Sequence, residues 1–584
     1  MIEPTSSPEA REFRIKKGEK ALALFRAFSA TEKIIFLCFV AIALVTALVM
    51  ADEASQYFMV TVPADGGTLV EGEVGTPRTA NPILAFTDVD QDVTSLVYAG
   101  LLRRDSSGNL VPCLAESYSI SSDGLTYDFI LKKNIFFDDG KPITADDVVF
   151  TVNKTQDAAI KSPERADWAD VTVKKISDSE VQFILNQPYA PFLANTTLGI
   201  LPQHIWGNIS DDQFIFNSHN IQPTGDGPYE VETVSKDSNG VPQSYTLVPS
   251  KYYTGTKPYI SKIILDFYPD ESHAFSALET GEIDSLAGLD PDDASALAST
   301  SASVKILTNP VPRLFGIFFN QNQNPILADK AVRQALSLAV DRERIVSDVL
   351  DGYGIPVNSP VPLGILKASS SSLSASSSIA LATSTLEKDG WKLNASGIYA
   401  KIVNKKTKTL SFSITTADSP DLTAAANMVA EQWRAIGANV TVNVFEYSDL
   451  ENTIGARSYD SLLFGQYISN GLDLYAFWNS SQRNAPGLNI AEYANISADK
   501  ALSSARSATS STAQSADLSA FQAIFSQDIP AVFIYSPDLI YVIPDKLHGV
   551  DIDSVSMPAD RWNGVSNWYI DTDRVWSIFT EFKL

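Results

Sequence analysis

Residues 118–152 read YSISSDGLTYDFILKKNIFFDDGKPITADDVVFTV. Leu125, Tyr127, Phe129 and Leu131 alternate with Thr126, Asp128 and Ile130, the two-residue period of a half-buried strand, and Asp123-Gly124 turns the chain into it. Asp139-Gly140 makes a second turn. Thr144 stands three residues before Asp147 and ahead of Val148, Val149 and Val152, a relative of the capping box that predicts a helix start. Asp146 and Asp147 are favoured there by the positive end of the helix dipole, so this acidic pair is read as a helix-start device and not as a metal or acid–base pair.

The same alternation of strand, polar loop and helix extends outward. Gly66-Gly67 leads into a short strand at Leu69 and Val70; the loop GTPRTANP follows, and then a helical pattern at Val93, Leu96, Val97 and Leu101. AVRQALSLAVDRERIV (331–346) places Val332, Leu336, Ala339 and Val340 on one helical face with charges opposite. In SPDLTAAANMVAEQWRAIGANVTVNVF, Ser419 caps a helix with Pro420 at its first position, Leu422, Val429, Trp433 and Ile436 face inward, and Gly437 ends it. Val440, Val442 and Val444 then alternate as a strand, completing an α/β unit. The Ser-rich segment 367–384 is expected to begin as a loop and end as the start of a helix leading to LEKDGW. No repeat of 20 to 50 residues suggests a solenoid or propeller.

With 584 residues, 45% hydrophobic and 10% aromatic, the chain is long and apolar enough for two or three domains with large cores. Its 44 basic and 69 acidic residues give a formal charge of −25, which argues against a nucleic-acid binder. Two cysteines, Cys38 and Cys113, do not suggest a disulfide, because Cys38 lies in the strongly apolar run.

That run, IIFLCFVAIALVTALVM (34–50), is 17 residues without charge or proline, the lower edge of what spans a bilayer. Seven basic residues precede it and no Lys or Arg follows until Arg78, which places the short tail in the cytoplasm and the rest outside. A cleaved signal peptide is the competing reading. The long segment before the run and the lack of a clean small-x-small site after it favour an uncleaved single-pass anchor. Beyond residue 50 the chain has 37 basic against 64 acidic residues, so the acidity belongs to the exterior portion.

Catalytic chemistry is not legible. The histidines, at 204, 219, 273 and 548, are too far apart for a zinc-protease pair and are expected to be structural or on the surface; there is no Cys-x-x-Cys, G-x-S-x-G elbow or phosphate loop. No enzyme, cofactor or metal site is expected. A large exported α/β protein of this kind suits enclosing a ligand between domains.

The residues resemble the extracytoplasmic solute-binding proteins of family 5, which serve peptide, dipeptide and nickel ABC importers. LAESYSISSDGLTYDFILKKNIFFDDGKPITADDVVF (114–150) carries the most recognisable segment. In order follow PYAPFLANTTLGILPQHIW (188–206), QPTGDGPYEV (222–231), the stretch 250–284, the stretch 314–346, LEKDGW (386–391), YDSLLFG (459–465) and DIPAVFIYSP (528–537). The resemblance implies a type II periplasmic-binding-protein fold, α/β, with two lobes and an additional domain. Residues 1–33 are then a cytoplasmic basic tail, 34–50 the anchor and 51–65 a tether. Lobe I combines 66–102, 223–305 and 535–584; the additional domain is 103–222 and lobe II is 306–534. It further implies a monomer that captures oligopeptides by lobe closure and hands them to ABC permease subunits in the membrane. Alternatives are a non-peptide solute, such as a sugar or chelated metal, or a surface receptor without transport.

Peptide-binding members carry Trp and then an Asp for the peptide amino terminus after a segment like YDSLLFG; here QYISNGLD (466–473) puts Gln466 at the Trp and Ser469 at the Asp, with Asp473 as a substitute counter-charge. Ligand contacts transferred by position are Thr76, Asn81, Asn320, Gln466, Tyr467, Ser469 and Asp473, whereas Gly227 and Pro228 are read as turn-forming.

Overall fold

A computed structural model describes residues 28–300, 303–362, 378–468 and 473–576. The chain divides into two compact units, residues 1–64 with 571–584, and residues 65–570.

The first unit holds a helix, Ala30–Phe58, whose window Ala30–Ala47 is long and apolar enough to cross a membrane. Ser29 and Glu32 close its N-terminus, with the Ser29 amide and hydroxyl each donating to Glu32 Oε2 at 2.8 Å. Within residues 51–65, expected as a tether, lie the end of this helix and a short strand. ADEASQY continues the helix to Phe58 because it contains no Pro or Gly, and Met59–Pro63 then pairs antiparallel with Thr572–Trp576, Met59 opposite Trp576.

The second unit is organised by one long strand, Ala531–Pro544, at the centre of a twelve-stranded mixed sheet. Its first half pairs with Arg313–Phe319, which continues through Ser461–Tyr467 and Ser411–Ala417 to the edge strand Asn439–Phe445. Its second half pairs with Val304–Pro310 and Ser285–Ala287, and from there the sheet runs through Thr68–Val74, Lys262–Tyr268 and Pro242–Pro249 to Tyr229–Lys236. The halves meet near Pro310, Pro312 and Pro537, where the neighbour of the long strand changes from Val304–Pro310 to Arg313–Phe319. The Val311 amide donates to the Pro537 carbonyl and the Ser536 hydroxyl to the Val311 carbonyl there.

Separate cores flank the crossing. One joins residues 69–98 to 229–267 and 539–568, another lies within 99–200, and two more within 314–535. The 99–200 core contains the segment on which the sequence reading opened. Thr126–Leu131 is a strand in a four-stranded antiparallel sheet, with Tyr127, Phe129 and Leu131 buried. Thr144 and Asp147 form the expected capping box on the helix Ala145–Gln156, the Thr144 amide donating to Asp147 at 2.8 Å. Gly124 and Gly140 take positive φ, +69° and +78°, as their turns require.

The helix 331–346 is corrected in two respects. It breaks at Val340 into Lys330–Ala339 and Arg342–Val349, because Asp341 caps a new start by accepting from the Arg344 amide. Its charges do not all face water: Arg333 and Arg342 are buried, Arg333 donating to the Leu327, Asp528 and Ile529 carbonyls and Arg342 to those of Val357 and Phe533. Five donors on a planar guanidinium satisfy loose carbonyls that an apolar side chain would strand. The helix Pro420–Ala435 has Ser419 at its cap and buries Val429 and Trp433, and Ile379–Lys388 is the helix that leads to LEKDGW. Residues 367–377 of the Ser-rich segment lie outside the described residues.

Candidate functional site

A cavity of about 480 Å³, within the roughly 300–1,000 Å³ of small-ligand sites, opens between distant parts of the chain. The helix Asp88–Val97 and the loops beside it form one wall, and the 99–200 domain a second through Glu164, Asp167 and Tyr189. Tyr467, Asp473 and Phe477 form a third, and the 3-10 helix Pro558–Asn567 closes the floor through Asp560 and Trp562.

The floor is fixed from behind by a buried charge network. Arg561, with no exposed surface, reaches Glu71 at 3.0 Å, Glu73 at 2.8 Å and Asp92 at 2.7 Å; Trp562 Nε1 also donates to Asp92 and the Tyr541 hydroxyl to Glu71. Burial pushes the Glu71 carboxyl up against the pull of Arg561, and it pushes Glu73 up strongly, helped by Asp92. Burial opposes the charge on Arg561, but Asp92, Glu73 and Glu71 more than restore it.

At the opposite wall, Asp473 Oδ2 lies 3.2 Å from Arg506 Nε, and its Oδ1 accepts from the Tyr475 amide. The Arg506 guanidinium stacks 4.6 Å over Tyr475 and 5.2 Å over Tyr189, and the Ala190 amide donates to the Arg506 carbonyl. This joins the 99–200 domain to the helix Ile496–Arg506 across the cavity. A Cβ on Gly124 would meet Thr509 at 3.1 Å, so the Asp123-Gly124 turn lies at the same junction. Burial raises the Asp473 carboxyl and Arg506 holds it down. Glu164 is pushed up to about 7 by burial and then by Asp167.

The structure brings together only part of the expected contact set. Tyr467 and Asp473 line the cavity, with the Tyr467 hydroxyl donating to the Ser556 carbonyl. Thr76 is exposed and does not line it. Asn81 is fully buried and spends its amide holding Asn220 and the Ile83 amide, so it shapes a loop. Asn320 likewise donates to the Arg457 carbonyl and accepts from Asn322 and Gln323. Gln466 is buried away from the cavity, with neither amide atom hydrogen-bonded among the described residues. Ser469 lies outside the described residues. Gly227 serves close approach: its φ is not positive, a Cβ would lie 2.5 Å from the Val97 carbonyl carbon, and the Asp226 and Gly227 amides donate to Val97 O.

Sequence reasoning did not find Glu164, Asp167, Tyr189 and Arg506. They occur in KSPERADW, PYAPF and SARSATSS, which carry no local signature, and only the folded chain places them together. The histidines pair or pack locally: His204 with Asp139, His273 with Asp270, His219 against Trp206 and His548 against Tyr569. Among the described residues no group of three or more His, Cys, Asp and Glu side chains is placed to hold a metal ion.

Comparison with known proteins agrees with this architecture. The family model for bacterial extracellular solute-binding proteins, family 5 Middle, matches residues 109–487. The chain is 31% identical over 504 residues to the oligopeptide-binding protein AppA of Bacillus subtilis (strain 168), covering 83% of this chain and 89% of that one. The structure of Bacillus subtilis AppA in complex with a nonapeptide superposes with a TM-score of 0.68 at 29% identity, covering 87% of this chain and all of that one. NikZ from Campylobacter jejuni, solved with Ni(L-His), gives 0.69 at 26% identity over the same shares. The periplasmic-binding-protein fold implied by the sequence resemblance is therefore the fold of this chain, and the protein belongs to the family 5 bacterial extracellular solute-binding proteins, a family of binding proteins and not of enzymes.

Proposed function

We propose that this protein is a membrane-anchored extracytoplasmic receptor that captures peptides in the cavity and delivers them to an ABC permease. The observation that carries the peptide reading is the 31% identity to an oligopeptide-binding protein along most of both chains. The cavity chemistry supports it. Asp473 offers the counter-charge that a peptide ammonium needs on leaving water, and Arg103 and Arg104 elsewhere in the wall suit a carboxylate.

Lobes comprising 66–102, 223–305 and 535–570 on one side, and 306–534 on the other, close over the ligand in this reading, with 103–222 as the additional domain; residues 571–584, expected in the first lobe, fall instead with the first unit. The crossing at Val311 and Pro537 is the hinge. Closure is driven only by tighter ligand binding to the closed form. The helix Ala30–Phe58, with the seven basic residues before residue 34, supports an uncleaved anchor with the cavity-bearing part outside.

Native mass spectrometry of the full chain in detergent, purified without refolding, tests this reading. A ladder of co-purified peptide masses is expected, and Asp473→Asn weakens binding of an added peptide at least about tenfold, the loss of one charge-assisted contact. Failure of every peptide to bind would sink the reading. The likeness to NikZ with Ni(L-His) favours a chelated metal as the second reading, and a single metal-containing mass would establish it instead.

A further inference from the structure

The segment from Gly390 to Ala417 contains Lys392, Lys401, Lys405, Lys406 and Lys408 and no acidic residue, in a chain that beyond residue 50 has 37 basic against 64 acidic residues. Its first part folds as a small antiparallel sheet of Lys392–Leu393, Tyr399–Val403 and Lys406–Thr409. Lys401 stands opposite Lys408 and Val403 opposite Lys406. Tyr399 roots the sheet in the core, its hydroxyl donating to Glu387, and Lys401 pairs with Asp329 and Asp389. The other lysines of the sheet have no ion pair among the described residues, and Lys392, Lys405 and Lys406 are exposed.

The tip is apolar as well as basic: Ile402, two residues before the turn, is 75% exposed, and Leu393 is 57% exposed. Hairpin stability does not account for these lysines. Asn404 and Lys405 make the turn with φ of 51° and 62°, and a two-residue turn with both φ positive favours Asn-Gly. Glycine, and not lysine, is the residue that stabilises position 405. Lys401 directly opposite Lys408 also costs the sheet, since like charges face each other across the strands.

We propose that this hairpin is a membrane-contact surface that docks on anionic phospholipid headgroups. This rests on the membrane-anchored reading above. Residues 59–64 are all that separates the helix Ala30–Phe58 from the second unit, a span of at most about 20 Å, so a bilayer crossed by that helix is within the hairpin's reach. An acidic protein is repelled by an anionic surface, and a local excess of lysine decides which face can approach it. The amines of Lys405, Lys406 and Lys408 pair with lipid phosphates, each favouring contact about fivefold. Ile402 enters the apolar edge of the headgroup layer. An acidic protein surface matches the lysines but gives an isoleucine set among them no apolar medium, so the bilayer interface fits the whole tip.

The test is lysine acetylation of the full chain in nanodiscs of phosphatidylcholine, with and without phosphatidylglycerol, read residue by residue by mass spectrometry. Lys405, Lys406 and Lys408 are expected to react at least about fivefold more slowly when phosphatidylglycerol is present, and to recover in 1 M NaCl, whereas the exposed Lys236 reacts equally in both. In the triple variant Lys405→Gly, Lys406→Gln, Lys408→Gln, the slower reaction of Lys392 is expected to be lost. The glycine suits the turn, and thermal unfolding confirms that the variant is folded. Equal rates for the hairpin lysines in the two membranes overturn lipid docking and turn the patch toward an acidic protein, while the anchor reading stands. Slowing of every lysine alike, Lys236 included, also overturns it. Failure of the chain to co-elute with either nanodisc overturns the anchor reading, and the docking with it.

Discussion

At the scale of single residues, Arg561 is the side chain on which most depends. Among the described residues it is the one cation paired with Glu71, Glu73 and Asp92, which come from a strand and a helix far from it in sequence, and it holds the cavity floor against both. Removing one partner from a buried ion pair leaves an uncompensated charge, which costs about 3–5 kcal/mol. Arg561→Met is therefore expected to lower stability in urea by that much or to prevent folding. Arg561→Lys, a single point charge without the fork, should fall between it and the native protein. A loss below about 1 kcal/mol for Arg561→Met would show that the carboxylates simply take up protons. None of this was legible in the sequence. RWNG carries no motif, and the acidic residues that answer it are dispersed through VEGEV and DVDQD. Thr144 and Asp147 were legible because capping is local chemistry, complete within four residues.

At the scale of elements, legibility again follows range. The strand Thr126–Leu131, the helix Pro420–Ala435 after Ser419, and the paired strand Asn439–Phe445 all follow from period and punctuation. The reading failed where a distant partner decides. Arg342, expected on a water-facing side, is buried against the carbonyls of Val357 and Phe533, and Met59–Pro63 becomes a strand because Thr572–Trp576, more than 500 residues away, pairs with it. The segment GDGPY belongs to the same class. Its Gly227 reads as a turn residue, but Gly225 and Gly227 lie against the last turn of the helix Asp88–Val97, where their Cβ atoms would fall 1.9 Å from the Val97 carbonyl oxygen and 2.5 Å from its carbon. Backbone cannot yield as a side-chain tip can. Gly227→Ala is expected to cost about 1–3 kcal/mol as overpacking, read as a lower midpoint in urea. Gly240→Ala fills open space but takes a positive φ, and should lose about 1 kcal/mol for that reason alone. If both substitutions were neutral, the helix and the GDG segment would not be packed as described.

At the scale of the whole molecule, buried carboxyls and net charge act on stability in the same direction. Burial pushes Asp138, Glu164 and Glu271 each up to about 7. In the unfolded chain such groups ionise near pH 4. Between roughly pH 4 and pH 7 the folded protein therefore binds more protons than the unfolded chain, so stability falls as pH rises through that window and levels off above it. Asp270 has the opposite sign. Its carboxyl is held down to about 2 by the His273 and Ser272 hydrogen bonds, so its contribution is present above about pH 4 and is lost as pH falls toward 2. The formal charge of −25 adds self-repulsion as the surface carboxylates ionise. These effects combine to place the highest melting temperature on the acid side of neutrality, and Tm at pH 5 is expected to exceed that at pH 8. Salt separates the two contributions, because at 1 M the Debye length is about 3 Å and surface repulsion is screened, whereas buried groups are screened much less. The difference between pH 5 and pH 8 that survives 1 M NaCl belongs to the buried carboxyls. It should shrink in the triple variant Asp138→Asn, Glu164→Gln, Glu271→Gln, which cannot release those protons. A Tm that rises from pH 5 to pH 8 in high salt, or a triple variant with the native pH dependence, would mean that these three groups titrate as they do in the unfolded chain.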